Sequence, residues 1–172
     1  WARAAVLTNF SQHEPVDGRP AAERTEVLVW YAPDAIYFGI RAYDSRPDAI
    51  RATVADRDAI DGDDRVILYL DTFQDRRRAF FFAVNPLGIQ ADGVRTEGVG
   101  GAGRTWGGSI DNSPDYWFQS KGRITEYGYE VEVRIPFKSL RYPGGNGPQS
   151  WGFQVERKVQ RTGYTDTWAP AR

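Results

Sequence analysis

Between Asp56 and Asp64, five of nine side chains are carboxylates: Asp56, Asp58, Asp61, Asp63 and Asp64. The run ends where an alternating segment, Arg65 to Asp71, begins. A loop of this kind needs positive charge beside it. Calcium takes six to eight oxygen ligands, mostly carboxylate and carbonyl. Asp58, Asp61, Asp63 and Asp64, with Asp44 upstream, offer several, so a structural Ca2+ is one expectation. The other is that these aspartates cap turns and pair with Arg51, Arg57 or Arg65. The loop is not an EF-hand: Ile60 and Asp61 stand where a ligand and the turn glycine belong, and Ile67 replaces the bidentate glutamate. With His13 the single imidazole, a catalytic metal centre is not expected.

The aromatic residues carry a second kind of chemistry. Six Trp, nine Tyr and nine Phe exceed what a core of this size requires. Trp106, Trp117 and Trp168 fall in or beside loops, where flat rings can stack on the C–H face of a sugar or anchor a protein interface. Trp1 and Trp151 read as core, and Trp30 is ambiguous in phase. Catalysis is not expected. Glu130 and Glu132 alternate outward on a strand as a solvated face, and one histidine near the N-terminus makes no Ser–His–Asp arrangement.

Period-2 alternation dominates the elements that must position these groups. Glu26 to Tyr31 and Ala35 to Tyr43 flank Ala32-Pro-Asp34, a hairpin. Further strands follow at Val66 to Asp71, Arg78 to Asn85, Trp117 to Ser120, Gly128 to Ile135 and Ser150 to Val159. Asp48 to Val54 reads as another regular segment, and Asp92 to Pro114, rich in Gly, Ser and Asn, as a long mobile loop. In Gly128–Ile135 the residues Tyr129, Val131, Val133 and Ile135 point inward. Many short strands separated by turn signals imply an all-β, antiparallel β-sandwich with jelly-roll-like connections, a single domain over residues 1–172.

Composition removes other classes. A net charge of −1 at pH 7 excludes the footprint of a nucleic-acid binder, and Arg76-Arg77-Arg78 is the one basic run. Cysteine is absent, so no disulfide or thiolate site forms. No apolar run approaches the roughly 20 residues of a spanning helix, so this segment is not expected to insert in a membrane. The chain contains no Met, and Trp1 reads as the start of a trimmed or processed segment.

Several phrases together resemble the family 9 carbohydrate-binding modules, in the variant that stands at the N-terminus of large bacterial outer-membrane proteins. They are Trp1-Ala-Arg-Ala4, Phe10 to Pro15, Arg24-Thr-Glu-Val27, Ile36 to Gly39, Ala42-Tyr-Asp44, Arg57-Asp58, Asp63-Asp64, Leu70 to Phe73, Asn85 to Gly88, Ile135-Pro-Phe137 and Leu140-Arg141. The resemblance runs in order along most of the chain. It implies a β-sandwich of that type, calcium-secured loops and sugar binding between two tryptophans, with polar side chains reading hydroxyls. Trp168 matches the later clamp tryptophan and Glu156 one polar reader. Asp61 stands at the earlier tryptophan, and Ile67 and Ala83 fall where further polar readers belong. The resemblance also implies export: a periplasmic, cell-surface or outer-membrane location in a Gram-negative bacterium. More distant relatives of the sandwich hold haem through Met or His, a role that a chain without Met and with His13 in a polar turn does not suit.

The leading expectation is therefore a non-catalytic module that captures a cellulose- or xylan-like polysaccharide or oligosaccharide. Its contacts are Trp168 with Trp106 or Trp117, helped by Glu156, Arg157 and Gln90, and its metal ligands are Asp44, Asp58, Asp61, Asp63 and Asp64. The alternative is an interaction module that docks on a C-terminal barrel of its own protein or on a neighbour, with the same aromatics as anchors.

Overall fold

The computed structural model describes residues 1–97, 108–145 and 147–169. Its strands in chain order are β1 (Ala5–Leu7), β2 (Ser11–Glu14), β3 (Arg19–Pro20), β4 (Thr25–Ala32), β5 (Ala35–Tyr43), β6 (Arg65–Asp71) and β7 (Arg78–Val84). They continue as β8 (Gln90–Glu97), β9 (Gly108–Asp111), β10 (Gln119–Thr125), β11 (Gly128–Pro136), β12 (Gly152–Val159) and β13 (Tyr164–Thr167). Two antiparallel sheets result. One has the order β1-β4-β5-β11-β10, the other β3-β2-β13-β12-β6-β7-β8-β9. The expected all-β sandwich is the observed one.

Alternation decides which side of each strand meets the other sheet. From the five-stranded sheet, Val27, Phe38, Ile40, Tyr129, Val131, Val133 and Ile135 turn inward. Val66, Leu68, Leu70, Phe80, Phe82 and Val155 meet them from the eight-stranded sheet. Burial of a large apolar side chain contributes about 1.5–3 kcal/mol, so a one-residue slip in any of these strands is strongly opposed. The hairpin β4–β5 closes over Pro33 and Asp34, with Ala32 paired to Ala35.

The structure corrects four expectations. The stretch from Asp92 is no loop at its start: β8 pairs with β7 along Gln90–Thr96, and β9 pairs with β8. Gly93 is required there, because a Cβ would lie 2.2 Å from the Asp111 carbonyl oxygen. Asp48 to Val54 forms no strand, and only the 3-10 turn Pro47–Ala49 is regular. β13 follows the last strand read from sequence and pairs with both β12 and β2. Trp1 is not core; it is 50% exposed on the outside of the five-stranded sheet.

One polar side chain crosses the sandwich. Arg157 on β12 is 0% exposed and reaches from the larger sheet to the smaller. Its Nη1 donates to the Arg24 carbonyl (3.0 Å) and Thr25 Oγ1 (3.1 Å), and its Nη2 to the Tyr43 carbonyl (2.7 Å). The guanidinium carbon lies 5.6 Å from the Tyr129 ring centroid, and Asp44 Oδ2 is 3.8 Å from Nη2. Burial pushes the Asp64 and Asp166 carboxyls up, with the Arg157 charge opposing the shift at each. Burial likewise pushes the Tyr129 hydroxyl up to about 12. Removing one partner of a buried charge pair strands the others and costs about 3–5 kcal/mol. Arg157→Ala is therefore expected to lose stability of that order in urea unfolding; a loss below about 1 kcal/mol would show the guanidinium to be dispensable.

Candidate functional site

Because β12 alternates, Arg157 inside requires Glu156 outside. On the outer face of the eight-stranded sheet Glu156 stands opposite Thr167 on one side and Ile67 on the other. Tyr69, two residues along β6 from Ile67, donates its hydroxyl to Glu156 Oε2 at 3.4 Å. The Arg95 guanidinium carbon from β8 lies 5.6 Å from the Tyr69 ring centroid. Burial pushes the Glu156 carboxyl above its ordinary value of 4.5, with Arg95 and Arg65 acting against the shift. Burial also raises the Tyr69 hydroxyl, and the Glu156 charge adds to that. A half-buried carboxylate, a phenol and a guanidinium thus converge on one sheet face.

The rest of that face divides in two. Toward β2, Lys158 Nζ donates to Thr165 Oγ1 (3.2 Å) and Thr165 Oγ1 to Glu14 Oε2 (3.4 Å), a polar margin. Toward the acidic loop, Ile67, Phe81, Ala83 and Ala91 form a small apolar cluster sealed by Ile60. Ile67 and Ala83, cross-strand neighbours on this face, contribute apolar surface where hydroxyl readers were expected.

Of the six residues expected to touch sugar, the five that are described do not converge. Arg157 is enclosed between the sheets and cannot reach a ligand. Trp168 follows β13 on the inward phase and packs against the core, its ring 6.0 Å from that of Phe153. It therefore lies on the opposite side of the sheet from Glu156. Trp117 is 55% exposed at a rim, with the Lys138 ammonium 5.4 Å from its ring centroid. Gln90 is engaged at both ends of its amide. Oε1 accepts from Arg57 Nη1 at 2.6 Å, and Nε2 donates to Ser120 Oγ at 2.9 Å and the Phe118 carbonyl at 3.2 Å. Trp106 lies outside the described residues. Glu156 faces outward from β12, and Tyr69 and Arg95 are companions that the sequence reading did not foresee. The signal for Tyr69 was available in its outward phase on β6.

The five expected calcium ligands also separate. Asp44 accepts from Arg161 Nη2 (2.8 Å) and the Arg46 backbone N–H (2.7 Å). Asp61 points to solvent, 3.7 Å from Arg65. Asp63 is buried and accepts from Thr53 N–H (3.0 Å), Thr53 Oγ1 (2.9 Å) and Asn85 Nδ2 (2.8 Å). Asp64 accepts from the Arg51 N–H at 2.8 Å. Only Asp58 joins other carboxylates, those of Asp92 and Asp115. There Arg57 supplies the positive charge: Nη2 meets Asp92 Oδ1, Nε lies 3.4 Å from Asp115 Oδ1, and Nη2 donates to the Tyr116 carbonyl at 2.8 Å. Burial pushes the Asp92 carboxyl up even so. A guanidinium set among these three oxygens does not fit a calcium cage, which needs the same lone pairs.

No protein-family model matches the chain, and no curated protein sequence does. Two solved structures share its fold. One is a carbohydrate binding module family 9 from Caldicellulosiruptor kristjanssonii in complex with cellotriose. It has a TM-score of 0.59 and 16% identity, over 98% of this chain and 74% of that one. The other is a putative carbohydrate-binding protein from Bacteroides uniformis, with a TM-score of 0.67 and 11% identity over 99% of this chain and 79% of that one. The sandwich described above is thus the family 9 type of fold.

Two measurements follow from this geometry. Chelation with EDTA is expected to leave the melting temperature unchanged, since arginines and backbone donors already satisfy the aspartates; a fall of several degrees that added Ca2+ reverses would put a cation back in the loop. The native Glu156 carboxyl holds its proton to higher pH than in the unfolded chain. The wild type therefore loses stability as pH rises from about 4.5 through the raised value, and Glu156→Gln lacks that loss. In thermal melts from about pH 4 to 8, the melting temperature of the variant is expected to gain on the wild type as pH rises, and a gap that stays constant or narrows would contradict the assignment.

Proposed function

We propose that this chain is a non-catalytic carbohydrate-binding module, and that its sugar site is the Tyr69–Glu156–Arg95 face of the eight-stranded sheet. The convergence of these three groups on one sheet face carries the reading. The Tyr69 ring offers an amphipathic surface for the C–H face of a sugar ring. Glu156 accepts from hydroxyls, and a guanidinium donates to them. Sugar binding in both fold neighbours' descriptions supports the ligand class.

The mechanism is equilibrium capture. Ring stacking excludes water from one face of the sugar while directional polar contacts select its hydroxyls. Attached to a larger exported protein, at the cell surface or in the periplasm, such a module raises the effective concentration of its partner domain near a polysaccharide.

Titration with cellotriose and xylotriose tests the reading. Glu156→Gln exchanges an ionic acceptor for a neutral amide, and a hydrogen bond to a charged group contributes about 1.5–3 kcal/mol. The affinity is expected to fall about tenfold or more. Tyr69→Ala should abolish measurable binding at this face. Failure of the wild type to bind either trisaccharide, or to be retained on cellulose and xylan, would reject the sugar reading in favour of docking on a barrel or another protein.

A further inference from the structure

The outer face of the five-stranded sheet carries a second arrangement of aromatic and paired polar groups, far from Glu156 in the fold. Its centre is Trp1. Gly39 on β5 leaves the sheet bare beneath the indole: a Cβ there would lie 3.3 Å from Trp1 Cη2 and Cζ2. One ring face therefore rests on backbone while the residue stays 50% exposed. The indole Nε1 donates to Glu132 Oε1 at 3.1 Å, which holds the ring in orientation.

Beside the ring runs a shallow groove along β10 and β11, lined by Lys121, Gly122, Arg123, Glu130 and Glu132. Lys121 stands opposite Glu132 in register, and Arg123 opposite Glu130. The lining carries two cations and two carboxylates, and Arg41 from β5 lies 3.5 Å from Glu130 and 3.8 Å from Glu26, so carboxylates oppose the positive charge of the groove. Carboxylates interleaved with the cations disfavour phosphate, nucleic acid and anionic lipid, which need unopposed positive charge. On the far side of Gly39, Trp30 is 46% exposed with its ring 5.5 Å from that of Tyr37, and the Arg134 guanidinium lies 5.8 Å from the same tyrosine. The face thus combines apolar rings with donors and acceptors of both charges, Arg134 pairing with Asp34 at 2.6 Å.

We propose that this groove is a second glycan subsite, with Trp1 as the stacking platform and Glu132, Lys121, Glu130 and Arg123 as hydroxyl partners. The ligand is a neutral polyhydroxyl chain, and for that class the assignment rests on the carbohydrate reading above. Flat apolar surface suits the C–H face of a sugar, and carboxylates set beside cationic donors match hydroxyls that donate and accept at once. With sites on both outer faces, one module contacts two chains or two stretches of one chain. That raises avidity without raising either affinity.

Calorimetric titration of the whole chain with cellotriose tests this. The wild type is expected to bind two equivalents, Trp1→Ala one, and the double variant Tyr69→Ala/Glu156→Gln the other one. Glu132→Gln should weaken the Trp1-dependent event several-fold and leave the second unchanged. Thermal melts check that each variant folds, which loss of a half-exposed surface ring should not affect. One equivalent in the wild type together with an unaltered isotherm for Trp1→Ala would overturn this subsite and leave the Tyr69 site standing. No binding by the wild type would overturn both. Loss of self-association in Trp1→Ala, with sugar binding intact, would reassign the face to a second copy of the chain.

Discussion

A single guanidinium between the sheets sets much of the architecture. Burying a charge without partners is prohibitive, so Arg157 is tolerable only where both layers supply acceptors. They do: backbone carbonyls of Arg24 and Tyr43 and the Thr25 hydroxyl come from one sheet, while Arg157 itself comes from the other. Sliding the sheets by one residue would break three bonds and leave the charge alone. The network therefore acts as a register lock, and it also assigns the faces. With Arg157 inward, Glu156 must look out, and the strand opposite presents Tyr69 beside it.

The same chemistry recurs around the acidic segment. Arginine takes the place that a divalent ion holds in many carboxylate-rich loops. Arg57 gathers Asp92 and Asp115, and Arg161 joins Glu23 to Asp44. A guanidinium is planar, always charged and offers five donors. It can bridge carboxylates and carbonyls at once, as Arg57 does by also reaching Tyr116 and Gln90. Asp63 needs no cation at all, since Thr53 and Asn85 satisfy it. The buried aspartates of the loop are thus satisfied by hydrogen-bond donors, while Asp61 stays in solvent.

The two outer faces contrast. On the larger sheet the carboxylate is half-buried and its proton affinity raised, a setting in which a ligand hydroxyl competes with little water. On the smaller sheet the charges are more exposed, with Arg123 paired to Glu130, and the Trp1 ring lies over Gly39. The inner faces contribute stability alone, which frees both outer faces for recognition. That separation is a general property of a sandwich whose core is supplied by alternate residues.

Much of the fold was legible in sequence because its cause is local. Alternation in Gly128–Ile135 and Arg65–Asp71 assigns a face to each side chain within a few residues, and Pro33-Asp34 marks a turn without reference to anything distant. β8 escaped because its Gly93 answers to Asp111 across the sheet, not to its neighbours in sequence. The site was less legible for the same reason. Arg157 beside Glu156 reads as one polar pair, but its partners lie more than a hundred residues away, at Arg24, Thr25 and Tyr43. Trp1 reads as core until Gly39 is seen beneath it, and Trp168 as a clamp until its ring is found against Phe153. Residue types and period determined two layers and an anionic loop; tertiary contact decided which groups face solvent, because the cost of burying a charge or a ring depends on what the opposite sheet provides.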